Sequence, residues 1–285
     1  MSPKQFLHAL VRRSGFELRR IGVPASPFIP YLRHYDLDYG AERPCSFDFW
    51  ISNKDASQWY DEWFFAADDP VWELHQFCKL VRPGDHVLEI GCHHGFLTMQ
   101  LAHLVGPSGS IVALDANPEN VIIAQSNVAL NKLANVDVLF AAGGERGGSG
   151  MFEWKTNSHQ VTGAPSTSSY KAEIVTADSL AERFNRDFDV LKLDVEGFEC
   201  EVLRGAKNIL QSQPNLILEV HPNEMREWKA DGNIAELCKL IHADKYDGTI
   251  ICRPDFGNAV PFTPTSIPLD TVSNLHLRPK SLGRT

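Results

Sequence analysis

Charged side chains end two of the buried strands that the sequence predicts. Lys192, Asp194 and Glu196 alternate at the end of one strand, and Glu219 and His221 do the same at the end of the next. Alternate residues of a strand share a face. Because unpaired charge is costly to bury, these groups are expected to reach a cleft or each other. If the two strands are neighbours, four of the side chains converge: Asp194, Glu196, Glu219 and His221.

This cluster suits two kinds of chemistry, abstraction of a proton or binding of a hard divalent metal. We favour proton abstraction, with Asp194 or Glu196 as the base and His221 as a relay, and leave the metal alternative open. Glu199 falls in the first turn of the following helix. There, interaction with the helix dipole and a functional role explain its presence equally well.

A second constellation is the loop of residues 89–95, which reads E-I-G-C-H-H-G. The third glycine of a G-x-G-x-x-G dinucleotide fingerprint is absent, so no phosphate cradle is evident. Glu89 lies where it could hold a cationic aminoacyl group instead. Asp115 ends the next predicted strand about 20 residues after Gly95, the position from which an acid accepts both ribose hydroxyls. The pattern predicts a cofactor that carries a nucleoside.

The elements that position these residues follow from the hydrophobic pattern. Short apolar runs separated by longer amphipathic segments predict buried parallel strands and a βαβ architecture. The predicted strands are His86–Ile90, Ile111–Leu114, Val136–Ala141, Phe188–Leu193 and Leu216–Val220. Further expectations are a helix opened by Asp68-Asp69-Pro70 and continuing through Val81, a helix over Ile234–His242, a strand over Gly248–Cys252 and a last edge strand at Leu275–Leu277.

The chain divides into an N-terminal extension, residues 1–66, and a main domain, residues 67–285. The extension begins with a basic amphipathic segment at 6–13, expected to dock on the domain or a second subunit, with contact to an anionic membrane surface as the alternative. An irregular connector is predicted over Pro24–Pro44. Eight aromatic residues then accumulate between Phe47 and Phe65 and form either a cap over the sheet edge or a pocket wall. Gly143–Ser169 is expected to be a mobile excursion or a hairpin.

Composition narrows the classes of partner and compartment. The net charge of −9 over 285 residues argues against a phosphate-binding surface, so nucleic acid is not expected as a partner. The six dispersed cysteines lack a C-x-x-C pair and favour a reducing, cytoplasmic compartment. No apolar run reaches the roughly 18 residues of a membrane span, so no stable membrane insertion is expected. A homo-oligomer is left open.

Several further motifs stand along the chain: R-P-G-D at 82–85, the G-x-x-x-G loop, V-T-A-D-S-L at 175–180, K-L-D-V-E-G-F-E at 192–199 and V-L-R-G-A at 202–206. Together they resemble the FkbM family of S-adenosylmethionine (SAM)-dependent methyltransferases. The resemblance implies an α/β, Rossmann-like class I methyltransferase fold, with a mostly parallel seven-strand sheet and helices on both faces. It also implies SAM as the methyl donor and O-methylation of a hydroxyl on a small molecule, a sugar or glycan, or a polyketide-type product.

The resemblance also implies roles for individual residues. Glu89, Gly91 and Gly95 would surround the aminoacyl end of the cofactor and Asp115 its ribose, while Asp194 and Glu196 would face the acceptor. The remaining predicted cofactor contacts are Cys92, His93, Ala116 and Ala142, the last near the adenine. Cys92 is expected to pack as a small hydrophobe and not to act as a nucleophile.

One position of the loop departs from the family. The family loop usually reads Asp-Val-Gly-Ala-Asn, and His93 replaces its asparagine. The replacement changes a side chain that either holds the cofactor carboxylate or shapes the entrance through which the acceptor binds. Two other functions stay open: a non-catalytic SAM-binding partner subunit, and an NAD-dependent dehydrogenase, which the missing third glycine disfavours.

Overall fold

The structure is a computed structural model that describes residues 28–154, 160, 168–227, 233–252 and 258–280. The predicted amphipathic segment at 6–13 lies outside the described residues, so its docking stays a prediction. In the described part of the chain, no helix is long and apolar enough to cross a membrane.

The strands, in chain order, are β1 (Tyr31–Leu37), β2 (Cys45–Ile51), β3 (His86–Ile90), β4 (Ser110–Asp115), β5 (Val136–Phe140), β6 (Ala142–Gly143), β7 (Gly148–Glu153), β8 (Ser169–Val175), β9 (Val190–Leu193), β10 (Asn215–Val220), β11 (Tyr246–Cys252), β12 (Val260–Pro261) and β13 (Ser273–Pro279). Eight of them form the central sheet in the order β12-β11-β13-β10-β9-β3-β4-β5. The five strands from β10 to β5 pair in parallel, and β13, β11 and β12 are antiparallel. The expected seven-strand sheet is present, with the two-residue β12 added at its edge.

The helices are α1 (Lys54–Ser57), α2 (Phe64–Ala66), α3 (Trp72–Leu80), α4 (Phe96–Val105), α5 (Pro118–Leu130), α6 (Ala177–Phe184), α7 (Glu199–Arg204), α8 (Lys207–Gln211), α9 (Pro222–Glu227) and α10 (Ile234–Leu240). A π-helical turn, Gln58–Trp63, joins α1 to α2, and a 3-10 turn, Ala243–Lys245, follows α10. Asn117 caps α5 by accepting a hydrogen bond from the Glu119 amide at 2.8 Å, with proline at the first helical position.

Helices cover both faces of the sheet, because alternate strand residues belong to different hydrophobic clusters. Leu88 of β3 packs with residues of α6 and α7, whereas its neighbour Val87 packs with residues of α3, α4 and the N-terminal segment. This is the alternation expected of strands buried on both sides. The predicted α/β fold with a mostly parallel sheet is confirmed.

Three sequence predictions about the elements were wrong. The connector at Pro24–Pro44 contains β1, which pairs with β2 as an antiparallel hairpin. The helix expected from Pro70 begins at Trp72, because the Asp69 carboxylate accepts from the Val71 amide in a turn that precedes it. Leu275–Leu277 belongs to an interior strand, since β13 inserts between β10 and β11, and its residues are fully buried.

The segment at Gly143–Ser169 takes part in a second, small sheet. Strands β7 and β8 pair as an antiparallel hairpin and β6 joins β8 in parallel. Of the 143–169 segment, residues 155–159 and 161–167 lie outside the described part. In the described portion the segment therefore forms a hairpin, as one of the two alternatives predicted. Residues of the small sheet also line the main cavity.

Candidate functional site

A cavity of about 1070 Å³ opens at the carboxyl ends of β3, β4 and β9. The strand order reverses at β3, because the chain continues to β4 on one side and returns to β9 on the other. Such a switch point is where open α/β sheets bind ligands. Most of the predicted site residues line the cavity: Glu89, Gly91, Cys92, His93, Asp115, Ala116, Ala142, Asp194 and Glu196.

Gly91 and Gly95 both adopt left-handed backbone conformations, with φ of +88° and +84°. A Cβ on Gly91 would lie 1.7 Å from the backbone oxygen of Asp194, so only glycine allows the loop to meet the turn after β9. A Cβ on Gly95 would lie 3.3 Å from Ala124 of α5. Gly95 therefore shapes the start of α4 and packs on α5. It is not among the residues that line the cavity, and its predicted place near the aminoacyl end of the cofactor stays a prediction.

Asp115 lies at the end of β4 in a set of hydrogen bonds that point toward the loop. One carboxylate oxygen accepts from the amide of Asn117 at 2.8 Å and the side chain of Asn120 at 3.1 Å. The other accepts from the amide of His93 at 2.9 Å. Burial raises the pKa of Asp115 to about 6, although these donors counteract it. Asp115 is therefore mostly ionised at neutral pH.

Glu89 is completely buried, and its charge is balanced within the protein. Its Oε1 lies 3.2 Å from Nζ of Lys192, and its Oε2 accepts from the Thr98 hydroxyl at 2.6 Å. Glu89 and Lys192 are opposite each other in the β3–β9 pair. Burial opposes the charge of Lys192, but the Glu89 carboxylate keeps its pKa raised. The position predicted to hold a cationic aminoacyl group is thus already paired with a lysine of the same chain.

The aromatic segment divides between core and cavity. Phe47 and Phe49 are buried against Tyr35 and Phe96. Four others line the cavity: Trp59, Tyr60, Trp63 and Phe64. The pocket-wall alternative therefore applies to these four residues, whereas Phe47 and Phe49 pack against Phe96 of α4.

His93 connects the cofactor loop to this segment. Its Nδ1 is 2.5 Å from the hydroxyl of Tyr60, and its ring stacks on His94 with centroids 3.9 Å apart. Burial lowers the pKa of His93 well below its usual value and raises the pKa of Tyr60 well above its own. Both side chains are therefore neutral at pH 7.

The carboxylate cluster forms around His221, which is buried behind the cavity wall. Its Nδ1 is 2.9 Å from the carboxylate of Glu199, and its Nε2 lies 3.5 Å from Glu196 and 3.7 Å from Glu219. Burial alone would lower the pKa of His221, but the hydrogen bond to Glu199 and the nearby carboxylates raise it to about 10. His221 is therefore a buried imidazolium. The structure brings together the four side chains that the sequence analysis expected to converge.

Asp194 and Glu196 lie beyond the strand that was predicted to carry them. β9 ends at Leu193, and Glu196 has a left-handed backbone with φ of +49°. The side chain of Glu196 is about one-third exposed at 32%. Burial raises its pKa to about 7, assisted by repulsion from Asp194 and Glu219 and opposed by His221. A carboxyl group with this pKa is well matched to proton transfer near neutrality.

Three groups of the cluster also fit the metal alternative. Asp194, Glu219 and His221 each offer one ligand atom, and these atoms lie within 4.8 Å of one another. Oxygen and imidazole donors of this kind suit divalent ions. Nε2 of His221 would have to release its proton before binding a metal, and the metal alternative stays open beside proton abstraction.

Sequence analysis missed two functional contacts. Tyr60 was only one of eight aromatics in its segment, and no local pattern linked it to His93, 33 positions away. Thr98 was not singled out, although it lies in the first turn of α4 and its hydroxyl donates a hydrogen bond to Glu89. Glu199 was left undecided, and the structure makes it the partner of His221.

Comparison with known proteins adds a family to this geometry. The sequence model of the methyltransferase FkbM domain matches residues 89–247, which is more than half of the chain. The ribosomal protein L11 methyltransferase of Geobacillus kaustophilus is 43% identical over 58 residues, covering 20% of this chain and 18% of that protein. The arsenite methyltransferase of Halobacterium salinarum is 40% identical over 57 residues, covering 20% and 15%. The chain thus spans less than a fifth of the length of these two curated relatives.

Among solved structures, the methyltransferase FkbM of Methylobacillus flagellatus KT superposes with a TM-score of 0.46 at 15% identity, covering 75% of this chain and 50% of that one. The match of the family model includes the cofactor loop from Glu89, the acid at Asp115 and the whole carboxylate cluster. The chain therefore belongs to the FkbM methyltransferase family.

Proposed function

We propose that the protein is a SAM-dependent methyltransferase that transfers a methyl group to a hydroxyl oxygen of a small molecule, a sugar or glycan, or a polyketide-type product. One observation carries the proposal. A single cavity is bordered by a nucleoside-accepting acid, Asp115, and by a carboxylate cluster suited to removing a proton. Its volume of about 1070 Å³ is at the upper end of ligand pockets, which leaves space for a cofactor and an acceptor together.

The donor set around Asp115 fits the ribose of the cofactor. A carboxylate offers about four lone-pair sites, and three N–H groups of the protein already use three of them. About one site therefore remains for a ribose hydroxyl, where the sequence alone suggested that both hydroxyls would bind. Ala116 and Ala142 provide small, apolar wall next to this position. When bound, SAM supplies an electrophilic methyl group on a sulfonium.

The chain has to orient the acceptor and take its proton. Glu196 is the better base, because it reaches the cavity and has a pKa of about 7, while Asp194 is the second candidate. His221, with a pKa of about 10, keeps its proton at neutral pH. It therefore acts as a fixed cation that holds Glu196 and Glu199 in place, which replaces the relay role expected from the sequence.

The cavity wall favours a neutral, hydroxylated acceptor. Three indole rings, those of Trp59, Trp63 and Trp72, line it together with the carboxylates. Aromatic faces pack against apolar ring surfaces, and carboxylates accept hydrogen bonds from hydroxyls. That nucleic acid is not the acceptor stays a prediction from the net charge of the sequence. A cytoplasmic location and a homo-oligomer stay predictions from the sequence.

Binding of the purified protein to SAM and S-adenosylhomocysteine tests the proposal. We expect a calorimetric signal and a rise in Tm with either compound, because a ligand that binds the folded state stabilises it. Absence of both effects at millimolar ligand would contradict the cofactor assignment.

The same protein should then release S-adenosylhomocysteine when it is incubated with SAM and a panel of hydroxylated acceptors. Binding without release on any acceptor would favour the non-catalytic partner subunit. Turnover that EDTA abolishes and Mg²⁺ restores would favour the metal alternative, whereas turnover unaffected by EDTA would support proton abstraction by the carboxylates.

The variant Asp115→Asn is expected to weaken binding of S-adenosylhomocysteine by about 10- to 100-fold, in line with the loss of hydrogen bonds to a charged acceptor. The amide removes the charge and turns one oxygen into a donor that faces the N–H groups of His93 or Asn117. Titration calorimetry measures the effect. Asp178→Asn is the matched control, because Asp178 accepts from the amides of Asn208 and Ile209 away from the cavity. Equal affinity in the two variants would contradict the assigned role of Asp115.

A further inference from the structure

The imidazole of His93 has one nitrogen held and one nitrogen without a partner. Nδ1 is 2.5 Å from the Tyr60 hydroxyl. Nε2 is buried, and no hydrogen-bond partner for it is present among the described residues. Both His93 and Tyr60 line the cavity. A buried polar atom without a partner is unfavourable, so this nitrogen is suited to a ligand that enters the cavity.

The contact with Tyr60 decides which nitrogen carries the proton. Both side chains are neutral, because burial disfavours the imidazolium and the phenolate. In a neutral imidazole one nitrogen donates and the other accepts. A phenol is the stronger donor of the two groups and an imidazole nitrogen the stronger acceptor. The hydroxyl of Tyr60 therefore donates to Nδ1, and Nε2 carries the hydrogen.

The electrostatics of the cavity identify the acceptor of this N–H. Five lining residues near the loop are acidic: Glu89, Asp115, Asp194, Glu196 and Glu219. Of the described cations that line the cavity, Lys192 is paired with Glu89 at 3.2 Å, and Arg146 lies 3.8 Å from Glu145. An anionic group that enters this cavity needs a donor that the carboxylates have not taken. Nε2–H of His93 is such a donor.

The backbone of the same residue fixes where that donor lies. The amide of His93 donates to Asp115 at 2.9 Å, so the side chain projects from a residue tied to the ribose-binding acid. The anionic group of the cofactor nearest to its ribose and sulfur is the carboxylate of the methionine moiety. Resting on the function proposed above, we propose that His93, oriented by Tyr60, binds the cofactor carboxylate through Nε2–H.

The test compares two ligands that differ by this moiety. S-adenosylhomocysteine has the carboxylate, and 5′-methylthioadenosine lacks the whole amino-acid portion. The ratio of their affinities, measured by titration calorimetry without any acceptor, reports on the amino-acid end alone. His93→Phe keeps the ring and removes both nitrogens, and it is expected to reduce this ratio about 10-fold or more, the size of a hydrogen bond to a charged group. His93→Gln returns an N–H donor and should restore most of the ratio.

Tyr60→Phe removes only the hydroxyl and should reduce the ratio by a smaller factor, about 2- to 10-fold. A matched control exists in the same part of the molecule, where the hydroxyl of Tyr39 lies 3.0 Å from Nε2 of His103 away from the cavity. Tyr39→Phe should leave the ratio unchanged.

Nitrogen-15 NMR of the wild-type protein reads the tautomer directly. The His93 signals, assigned by their loss in His93→Phe, should show a neutral ring with hydrogen on Nε2 from pH 6 to pH 8. Hydrogen on Nδ1 would overturn the inference.

The outcomes separate this inference from the proposed function. If the wild-type protein binds neither ligand, the proposed function fails and the inference fails with it. If it binds both, and His93→Phe weakens both by the same factor, the proposed function stands and the carboxylate contact is refuted. A selective loss for S-adenosylhomocysteine, with 5′-methylthioadenosine still bound, supports the inference and shows that the variant is folded.

Discussion

Replacing Glu196 with glutamine is expected to lower kcat for methyl transfer by about 10²- to 10⁴-fold, the usual contribution of a general base. The amide keeps the shape of the side chain and cannot accept the proton. Binding of S-adenosylhomocysteine should change little, because Glu196 belongs to the carboxylate cluster and not to the loop around Asp115. Measurement of kcat with an identified acceptor, together with calorimetry of cofactor binding, separates the two effects.

The pH dependence gives this prediction a sharper form. The base must be ionised, and the pKa of Glu196 is raised to about 7. In the wild-type protein kcat should therefore rise with pH through about 7 and level off above it, and Glu196→Gln should lose that rise. Glu201→Gln makes the same charge change elsewhere on the cavity wall, where Arg204 pairs with the carboxylate at 3.3 Å, and should keep the wild-type profile. Full turnover by Glu196→Gln would rule out this residue as the base.

The raised pKa of Glu196 also predicts an effect on stability. A carboxyl group whose pKa is higher in the folded than in the unfolded protein loses folding free energy as pH rises from the unfolded value toward the folded one. Here that window runs from about 4.5 to about 7. Glu196→Gln has no carboxyl group to ionise and so avoids this loss of folding free energy. The difference in Tm, variant minus wild type, should therefore be larger at pH 8 than at pH 5.

Replacing Lys192 with methionine is expected to lower the free energy of unfolding by about 3–5 kcal/mol, the usual effect of removing one partner of a buried ion pair. Methionine fills a similar volume, but the Glu89 carboxylate is left completely buried without a cation. The hydroxyl of Thr98 is then the hydrogen-bond donor that it keeps. Unfolding in urea, analysed by linear extrapolation, measures the loss.

A second substitution distinguishes charge from packing in this test. The double variant Lys192→Met with Glu89→Gln has no uncompensated charge and should recover most of the lost stability. Lys280→Met is the surface control, because Lys280 pairs with Asp247 at 3.8 Å with both side chains largely exposed. Lys280→Met should change the free energy of unfolding by no more than about 1 kcal/mol. A single variant Lys192→Met as stable as the wild-type protein would show that the buried pair is not needed.

The sequence predicted the parallel half of the sheet well, because each of its strands is a short, continuous apolar run between longer amphipathic segments. His86–Ile90 has the predicted bounds, and the other four runs differ from the observed strands by one or two residues at their ends. The antiparallel half of the sheet was harder to predict from the sequence. The interior position of β13 depends on which strands it pairs with, and alternation in its own sequence does not report that.

The candidate site shows the same division between local and long-range information. The loop glycines and Asp115 could be found, since their spacing lies within one βαβ unit. The pairing of Glu89 with Lys192 could not, because it depends on the register of two strands that are 103 positions apart in the chain. The alternation of charge also continued past the end of β9, which hid the turn at Glu196 and its left-handed backbone.

The excess of carboxylates around the cavity bears on the stage after the methyl group has moved. SAM carries a positive sulfonium, and the product S-adenosylhomocysteine has a neutral thioether in its place. An acidic wall attracts the first more strongly than the second, and the low dielectric of a buried site amplifies the difference. If the chain binds SAM as proposed, a wall of this charge would hold the donor more tightly than the spent cofactor, which would favour exchange of the product for a fresh donor at each turnover.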